Sequence, residues 1–212
     1  MTATAAPSRP APPRGTAARY TWVAIALHWT IGLGILAMLA MGLAMVHAPL
    51  APVVKFKLYQ LHKSVGLTIL LAALLRLVWR LAHRPPPLPR AMPAWERGAA
   101  EGTHALLYGL MIGMPLVGWA LVSVAPLNIP TVLYGVLPWP HLPLTAWFGW
   151  SKAAASPVLT FLHAYGAYLL IALLVLHAGA ALRHHLVLRD DVLRRMIPGL
   201  PWPGRRPSER LP

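Results

Sequence analysis

The chain has 212 residues, of which 57% are hydrophobic and 11% charged, and it contains no cysteine. This composition is too apolar for a soluble domain, and the length suffices for about four membrane-spanning helices. The lack of cysteine excludes disulfides and thiolate metal sites, which leaves the ten histidines as the main candidate metal ligands. The net charge of +14 fits basic cytoplasmic loops, so we expect no nucleic-acid partner.

Taken in chain order, the sequence divides into two tails and a membrane domain. Residues 1–18 are small, basic and proline-rich, which predicts a disordered cytoplasmic tail. Residues 19–198 form the membrane domain, with predicted spans at about 22–46, 61–81, 98–125 and 156–185. Segment 126–155 is rich in proline and tryptophan and predicts a lid on the outer membrane surface. Residues 199–212 form a second predicted cytoplasmic tail. The predicted fold is an all-α, integral membrane four-helix bundle.

The basic residues set the predicted orientation of this bundle. All 15 arginines lie before span one, at or between the ends of spans two and three, or after span four. Because basic residues concentrate on the cytoplasmic side, both termini should face the cytoplasm. Four lysines and no acidic residue remain for the outer side: Lys55, Lys57, Lys63 and Lys152.

Four histidines lie inside the predicted spans at two matched depths. His163 and His177 are 14 residues apart, which is about 21 Å of helical rise on nearly one face. The orientation of the spans places His62 at the level of His163 and His28 at the level of His177. Ionisable groups in a membrane are costly and usually functional. Two opposed imidazoles at each level suit the axial positions of two b-type haems better than tetrahedral zinc.

Other polar residues near these levels have two possible roles each. Arg76 lies 14 residues after His62, where it could bind a propionate of the inner haem or extend to the cytoplasmic boundary. His104 could be a packing residue or a neighbour of the cofactor. His184 and His185 could bind the last carbonyls of their helix or handle protons near a quinone. Small residues that could leave space for a macrocycle, or serve ordinary helix packing, are Gly32, Gly66 and Gly166.

Five stretches between residues 19 and 198 carry a further signal: RYTWVAIALHWTIGLGIL, LHKSVGLTILLAALLRLVWR, HALLYGLMIGMPLVGWAL, HAYGAYLLIALLVLHAGAALRHHLVLRD and DVLRRMIP. In combination they resemble the bacterial cytochrome b561 family of four-helix di-haem membrane cytochromes. The resemblance implies a multi-pass protein of the bacterial inner membrane. It also implies axial haem ligation by His28, His62, His163 and His177, electron exchange with ubiquinone and, in one branch, superoxide oxidation.

The lysines of the outer side indicate what kind of electron donor the protein could use. A surface of one sign around a redox centre attracts small anions, and Lys63 directly follows His62. Superoxide is the anion that the resemblance suggests, whereas contact with lipid phosphates is the alternative role of these lysines. The residues considered for a direct part in the reaction are Lys63, His184 and His185.

Two functions follow from this interpretation. The first is a quinone-linked oxidoreductase, similar to superoxide oxidase, whose haems relay electrons between an outer donor and the ubiquinone pool. The second is a membrane-anchor cytochrome b subunit that serves a peripheral dehydrogenase, with that enzyme as a redox partner protein. In both cases the chain is in contact with membrane lipid.

Overall fold

The computed structural model describes residues 19–89 and 92–201. The first predicted tail and most of the second lie outside these residues. In the described part, the elements follow one another in this order: α1 (Trp22–His47), α2 (Pro52–Ala82), α3 (Ala94–Val124), β1 (Thr131–Leu133), β2 (Leu137–Trp139), α4 (Leu144–Phe148) and α5 (Lys152–Arg183). A π-helical turn, His184–Leu188, and a 3-10 turn, Leu193–Arg195, complete it.

Within the described residues, four helical segments are long and apolar enough to cross a membrane: α1, α2, α3, and α5 together with its π-helical turn. Leucines and valines cover their outward faces, such as Leu33, Leu71 and Val175, which are each more than 60% exposed. A helix that is apolar all round is typical of a membrane span. The chain is therefore a four-helix membrane bundle, as the composition predicts.

Local signals fix the starts of the helices. Thr21 precedes α1, and its hydroxyl accepts a hydrogen bond from the backbone N–H of Ala24 at 3.3 Å. Ser151 caps α5 in the same way through Ala154, at 3.2 Å. Such caps satisfy backbone donors that have no partner inside the helix. The rigid φ of proline suits the first turn of a helix, and α2 begins at Pro52.

Each long helix packs against its neighbour in the bundle. Helix α1 packs against α2, α2 against α3, and α3 against α5. A buried apolar core fills the middle of the bundle and consists of Ile31, Ile35, Ile69, Leu107, Leu170 and Leu173. We call the end at which α1 begins the tail end, and the end that carries residues 125–151 the lid end.

The helices extend beyond the predicted spans at the lid end. Helix α2 begins at Pro52, nine residues before the predicted span, so His62 lies well inside the helix and not at its start. Polar residues of this first part, such as Lys55, Lys57 and Gln60, resemble a loop in sequence, but a helix can continue past the apolar layer. Helix α5 likewise begins at Lys152, which shortens the segment outside the long helices.

Residues 125–151 fold over the lid end as a small β-hairpin followed by α4. Strands β1 and β2 pair antiparallel, with Thr131 opposite Trp139. Residues 134–136 form the turn, in which Tyr134 and Gly135 have positive φ values of 51° and 74° and the Val136 N–H donates to the carbonyl oxygen of Leu133 at 2.9 Å. The predicted lid therefore contains the short helix and also two strands that the sequence did not predict.

Hydrogen bonds attach this hairpin to α2. The side chains of Gln60 and Lys63 donate to the carbonyl oxygen of Pro130 at 3.0 and 3.3 Å. The backbone N–H of Tyr134 donates to Oγ of Ser64 at 2.9 Å, and the Tyr134 hydroxyl bonds Thr68 at 2.7 Å. The lid is thus fixed to the same helix that carries His62.

Candidate functional site

His28 of α1 and His177 of α5 face each other toward the tail end. Their ring centroids are 6.0 Å apart, and the ring planes differ by 30°. His104 of α3 approaches the same place, with its ring centroid 5.4 Å from that of His177 and nearly perpendicular to it. The structure thus forms the predicted pair and places His104 beside it.

His62 of α2 and His163 of α5 form the corresponding pair toward the lid end. Their ring centroids are 6.2 Å apart, with an interplanar angle of 72°. Both line a cavity of about 400 Å³ whose walls are mostly apolar. Thr131 and Trp139 of the lid also line this cavity. A cavity of this size, with few polar groups, is typical of a small-molecule or cofactor site.

The environment and spacing of the histidines fit a group held between the two rings of each pair. The Nδ1 atoms of His28, His62 and His163 are buried and have no hydrogen-bond partner. Buried polar atoms normally have a partner, and an exception points to an ion or ligand. Metal–imidazole bonds are about 2 Å long, so two imidazoles on opposite sides of one metal have ring centroids about 6 Å apart. Both pairs match this separation.

The arrangement differs from a site for a free metal ion. Across residues 19–89 and 92–201, no group of three or more histidines or acids is placed to hold a metal. Structural zinc needs four such ligands, whereas a haem supplies four nitrogens of its own and requires two axial ligands. The residues present therefore fit a haem better than zinc.

Glycines give space beside the histidines of the lid end, but not all are those expected from the sequence. A Cβ added to Gly118 would lie 3.1 Å from Cε1 of His163, and one on Gly42 would lie 3.7 Å from Cε1 of His62. By contrast, Gly32 has no atom within 4 Å of such a Cβ, and Gly166 packs on Met114. Gly42 and Gly118 were missed because each belongs to a different helix from its histidine.

Sequence comparison settles the family. The family model described as prokaryotic cytochrome b561 matches residues 19–199, which is most of the chain and all four long helices. The chain belongs to the prokaryotic cytochrome b561 family. It is a membrane electron carrier of bacteria, and membership of this family implies the binding of haem b.

Three relatives of this cytochrome illustrate the range of similarity. It is 32% identical to cytochrome b561 homolog 2 of Escherichia coli (strain K12) over 183 residues, which cover 86% of this chain and 93% of the relative. It is 27% identical to cytochrome b561 homolog 1 of the same organism over 65% of this chain and 73% of the relative. The Probable superoxide oxidase CybB of Yersinia pestis is 30% identical over the same shares.

In this cytochrome, Arg76 joins three helices at the level of the tail-end pair. Its Nε donates to the hydroxyl of Tyr108 at 3.1 Å, and its Nη1 donates to the carbonyl oxygen of Ala24 at 2.9 Å. Ala24 lies one turn before His28. The guanidinium thus lies close to the tail-end pair and also holds α1, α2 and α3 together.

His184 and His185 are both buried, in the π-helical turn after α5. His184 lies between two carboxylates, with Nδ1 at 2.5 Å from Asp190 and Nε2 at 3.3 Å from Glu96. Glu96 also pairs with Arg183 at 2.6 Å. His185 differs, because its Nδ1 is buried without a partner. His184 therefore belongs to an ion-pair network, and it does not bond Arg76.

The segment after α5 folds back over the tail end. The indole N–H of Trp29 donates to the carbonyl oxygen of Met196 at 2.9 Å, and Trp29 is the residue next to His28. Arg195 bonds Asp191 at 3.0 Å and the carbonyl of Pro87 at 2.5 Å. The segment therefore packs close to the tail-end pair.

The lysines of the lid end occupy different surroundings. Lys63 lines the cavity beside His62 and is bound to the lid through Pro130. Lys152 donates to Oδ1 of Asn128 at 3.4 Å. Lys57 is exposed. Among the four, Lys63 is the one whose charge lies at the cavity itself.

Proposed function

We propose that this cytochrome holds two b haems in the bacterial inner membrane and passes electrons from a donor outside the cell membrane to ubiquinone. The observation that carries the proposal is the presence of two imidazole pairs, at 6.0 and 6.2 Å, at two depths of one bundle. His28 and His177 would ligate the inner haem, and His62 and His163 the outer one. The haem irons supply one-electron redox chemistry.

The protein contributes burial, spacing and insulation. Positions 163 and 177 of α5 are separated by about 21 Å of rise. Leu170 and Leu173 lie between them and belong to the buried core. This apolar layer keeps water away from the path between the two levels, and a low dielectric strengthens each interaction there.

The proposed orientation puts the tail end in the cytoplasm and the lid end outside. In the described residues, the tail end carries arginines at the end of α2, in the following loop and after α5. The lid end carries lysines and no arginine among these residues. The positive-inside rule assigns the richer basic side to the cytoplasm. The haem at His62 and His163 is then the outer one.

Superoxide is the donor that we propose. A relative bears the name superoxide oxidase, and Lys63 lines the outer cavity. Each superoxide ion would give one electron and leave as O₂. Two such steps reduce one ubiquinone, which also takes up two protons. The lysines would raise the encounter rate through their charge, by about 10-fold or more at low salt.

Ubiquinone is proposed to react at the tail end, near Arg76, His184 and His185. Its reduction needs protons, and the network of the partly exposed Glu96 and Asp190 with the buried His184 can relay them from the cytoplasmic side. His185 has a buried nitrogen available for a quinone oxygen. A haem held by His28 and His177 would supply the electrons at the same end.

Haem counting tests the core of the proposal. A pyridine haemochrome assay should give two b haems per chain for the wild type and one each for His163→Ala and His177→Ala. His83→Ala is the matched control, since this exposed histidine stacks on Trp79 away from both pairs, and it should keep two. One haem in the wild type would reject the pairing.

Stopped-flow reduction by superoxide tests the donor. The combined variant Lys55→Gln, Lys57→Gln and Lys63→Gln should react about 10-fold more slowly at low salt and lose its dependence on ionic strength. A control that removes three charges from the tail end combines Arg84→Gln, Arg97→Gln and Arg189→Gln. Equal rates for both variants would eliminate the proposed role of the lysines.

Quinone reduction tests the acceptor site. His185→Ala should lower the rate with a soluble ubiquinone analogue while the haem content stays at two per chain, and His184→Ala should slow proton uptake. His141→Ala at the lid end is the control. If His184→Ala and His185→Ala both reduce quinone at the wild-type rate, the site lies elsewhere. Copurification of a tight dehydrogenase subunit would instead favour an anchor role.

A further inference from the structure

A second, smaller pocket lies at the tail end, apart from both histidine pairs. It has a volume of about 50 Å³ and is formed where α1 begins, α2 ends and α3 passes beside them. Four arginine residues line it: Arg19, Arg76, Arg80 and Arg84. A volume of this size accommodates one small group and not a whole cofactor.

The charge of this pocket is not neutralised within the described residues. No carboxylate is among its lining residues there. The acids of the tail end that form ion pairs, Glu96, Asp190 and Asp191, bind Arg183, His184 and Arg195 instead. Several arginines around one pocket without an acid provide positive charge for an anion, and the planar fork of a guanidinium matches phosphate oxygens in particular.

Aromatic contacts hold the pocket in shape. The guanidinium of Arg80 lies 5.4 Å from the centre of the Tyr108 ring, which is a favourable cation–π distance. The indole N–H of Trp79 donates to the Thr21 hydroxyl at 2.9 Å, so the end of α2 is tied to the start of α1. The pocket is therefore held by contacts among α1, α2 and α3.

Its depth corresponds to the headgroup layer of the membrane. Trp22 and Trp95 lie at the starts of α1 and α3 and are 72% and 71% exposed. Exposed tryptophans at the ends of spans mark the membrane–water interface. Arg80 follows Arg76 by one turn of α2 toward this surface, and Arg84 lies just beyond the end of α2. Both therefore lie farther from the tail-end histidines than Arg76 does.

We propose that the pocket binds the phosphate group of an anionic phospholipid in the leaflet at the tail end. Basic pockets between spans on the cytoplasmic side are known to bind acidic lipid headgroups. Arg19, Arg80 and Arg84 bind the phosphate, and the acyl chains lie along the exposed apolar faces of α1 and α2. The proposal is independent of the ligands of the haems.

Native mass spectrometry of the delipidated, haem-loaded protein tests it. Phosphatidylglycerol should bind as one molecule per chain and more tightly than phosphatidylcholine with the same acyl chains. The variant Arg80→Gln with Arg84→Gln should bind phosphatidylglycerol about 30-fold more weakly, the effect of two basic side chains near an anionic membrane surface. The control, Arg97→Gln with Arg189→Gln, removes the same charge from the same end and should bind as the wild type does.

Other results would overturn the proposal. Equal binding of the two lipids, or equal weakening by both double variants, would show that the pocket has no special affinity. Displacement of the lipid by inorganic phosphate at equal concentration would assign the pocket to a free anion. Loss of one haem in Arg80→Gln with Arg84→Gln would show that a haem propionate occupies it. Haem counting in the same samples separates this outcome from a failure of the proposed haem ligation.

Discussion

Gly118 of α3 lies against the ring of His163, and its replacement by alanine should weaken haem binding at the lid end. The added Cβ would lie 3.1 Å from Cε1 and 3.5 Å from Nδ1 of His163. Favourable carbon–carbon contacts begin at about 3.5 Å. The imidazole must therefore move by roughly 0.4 Å to restore an ordinary contact.

The size of this shift sets the expected effect. Metal–ligand distances in proteins are held to about ±0.2 Å, and disturbing the groups that orient a ligand usually costs about 10-fold to 100-fold in affinity. We expect the same loss for the haem proposed at His62 and His163, while the haem proposed at the tail end should be unchanged. Alanine is a better helix former than glycine by about 1 kcal/mol, so α3 itself should not be destabilised.

The assay is the transfer of haem to an excess of apomyoglobin, followed by absorbance. Gly118→Ala should release one of its two haems about 10-fold to 100-fold faster than the wild type does. Gly113→Ala is the matched control, because a Cβ at Gly113 of the same helix meets no atom within 4 Å. Release of both haems at the wild-type rate from Gly118→Ala would refute the reasoning.

Three further substitutions test the closure of the two ends. Ser64→Ala removes the acceptor of the Tyr134 N–H, and should lower the free energy of unfolding by about 1–3 kcal/mol and speed proteolysis of the lid. Glu96→Gln removes the charge facing His184 and should cost about 1.5–3 kcal/mol in thermal unfolding. Trp29→Phe removes a hydrogen bond to the segment after α5 and should speed tryptic cleavage there. Controls of like chemistry are Thr160→Ala, Glu101→Gln and Trp95→Phe. Each control is paired with its test variant in the order given. If a control and its test variant change the measured stability or cleavage rate equally, the contact tested does not have the role described.

The four spans and the depth of the histidines could be predicted because both depend on local sequence. An apolar run of about 20 residues has one stable form in a membrane. The spacing between His163 and His177 is a property of one helix, and charge asymmetry then determines which end of each neighbouring helix lies at the same depth. Pairing by depth needs no knowledge of tertiary contacts, and the structure brings both predicted pairs together.

The lid and the tail-end network could not be predicted because they depend on contacts between distant parts of the chain. Tyr134 occupies a turn at positive φ, where tyrosine gives no turn signal. Glu96 lies 88 residues before His184 in sequence, so no local pattern joins them. The early start of α2 was missed for another reason, since its first ten residues are helical but partly polar.

The two ends of the bundle are closed by different chemistry, and this difference bears on the direction of electron flow. The cavity at the lid end is mostly apolar, with Lys63 as a charge beside His62. The tail end contains a chain of ionisable groups from Glu96 through His184 to Asp190, in which His184 is buried and the two carboxylates are partly exposed. A one-electron donor such as superoxide releases no proton and needs only an attractive charge, whereas reduction of a quinone consumes two protons. Partly exposed carboxylates on both sides of a buried histidine can exchange protons with water, which fits the proposed quinone reduction at the tail end and is not required for the proposed oxidation at the lid end.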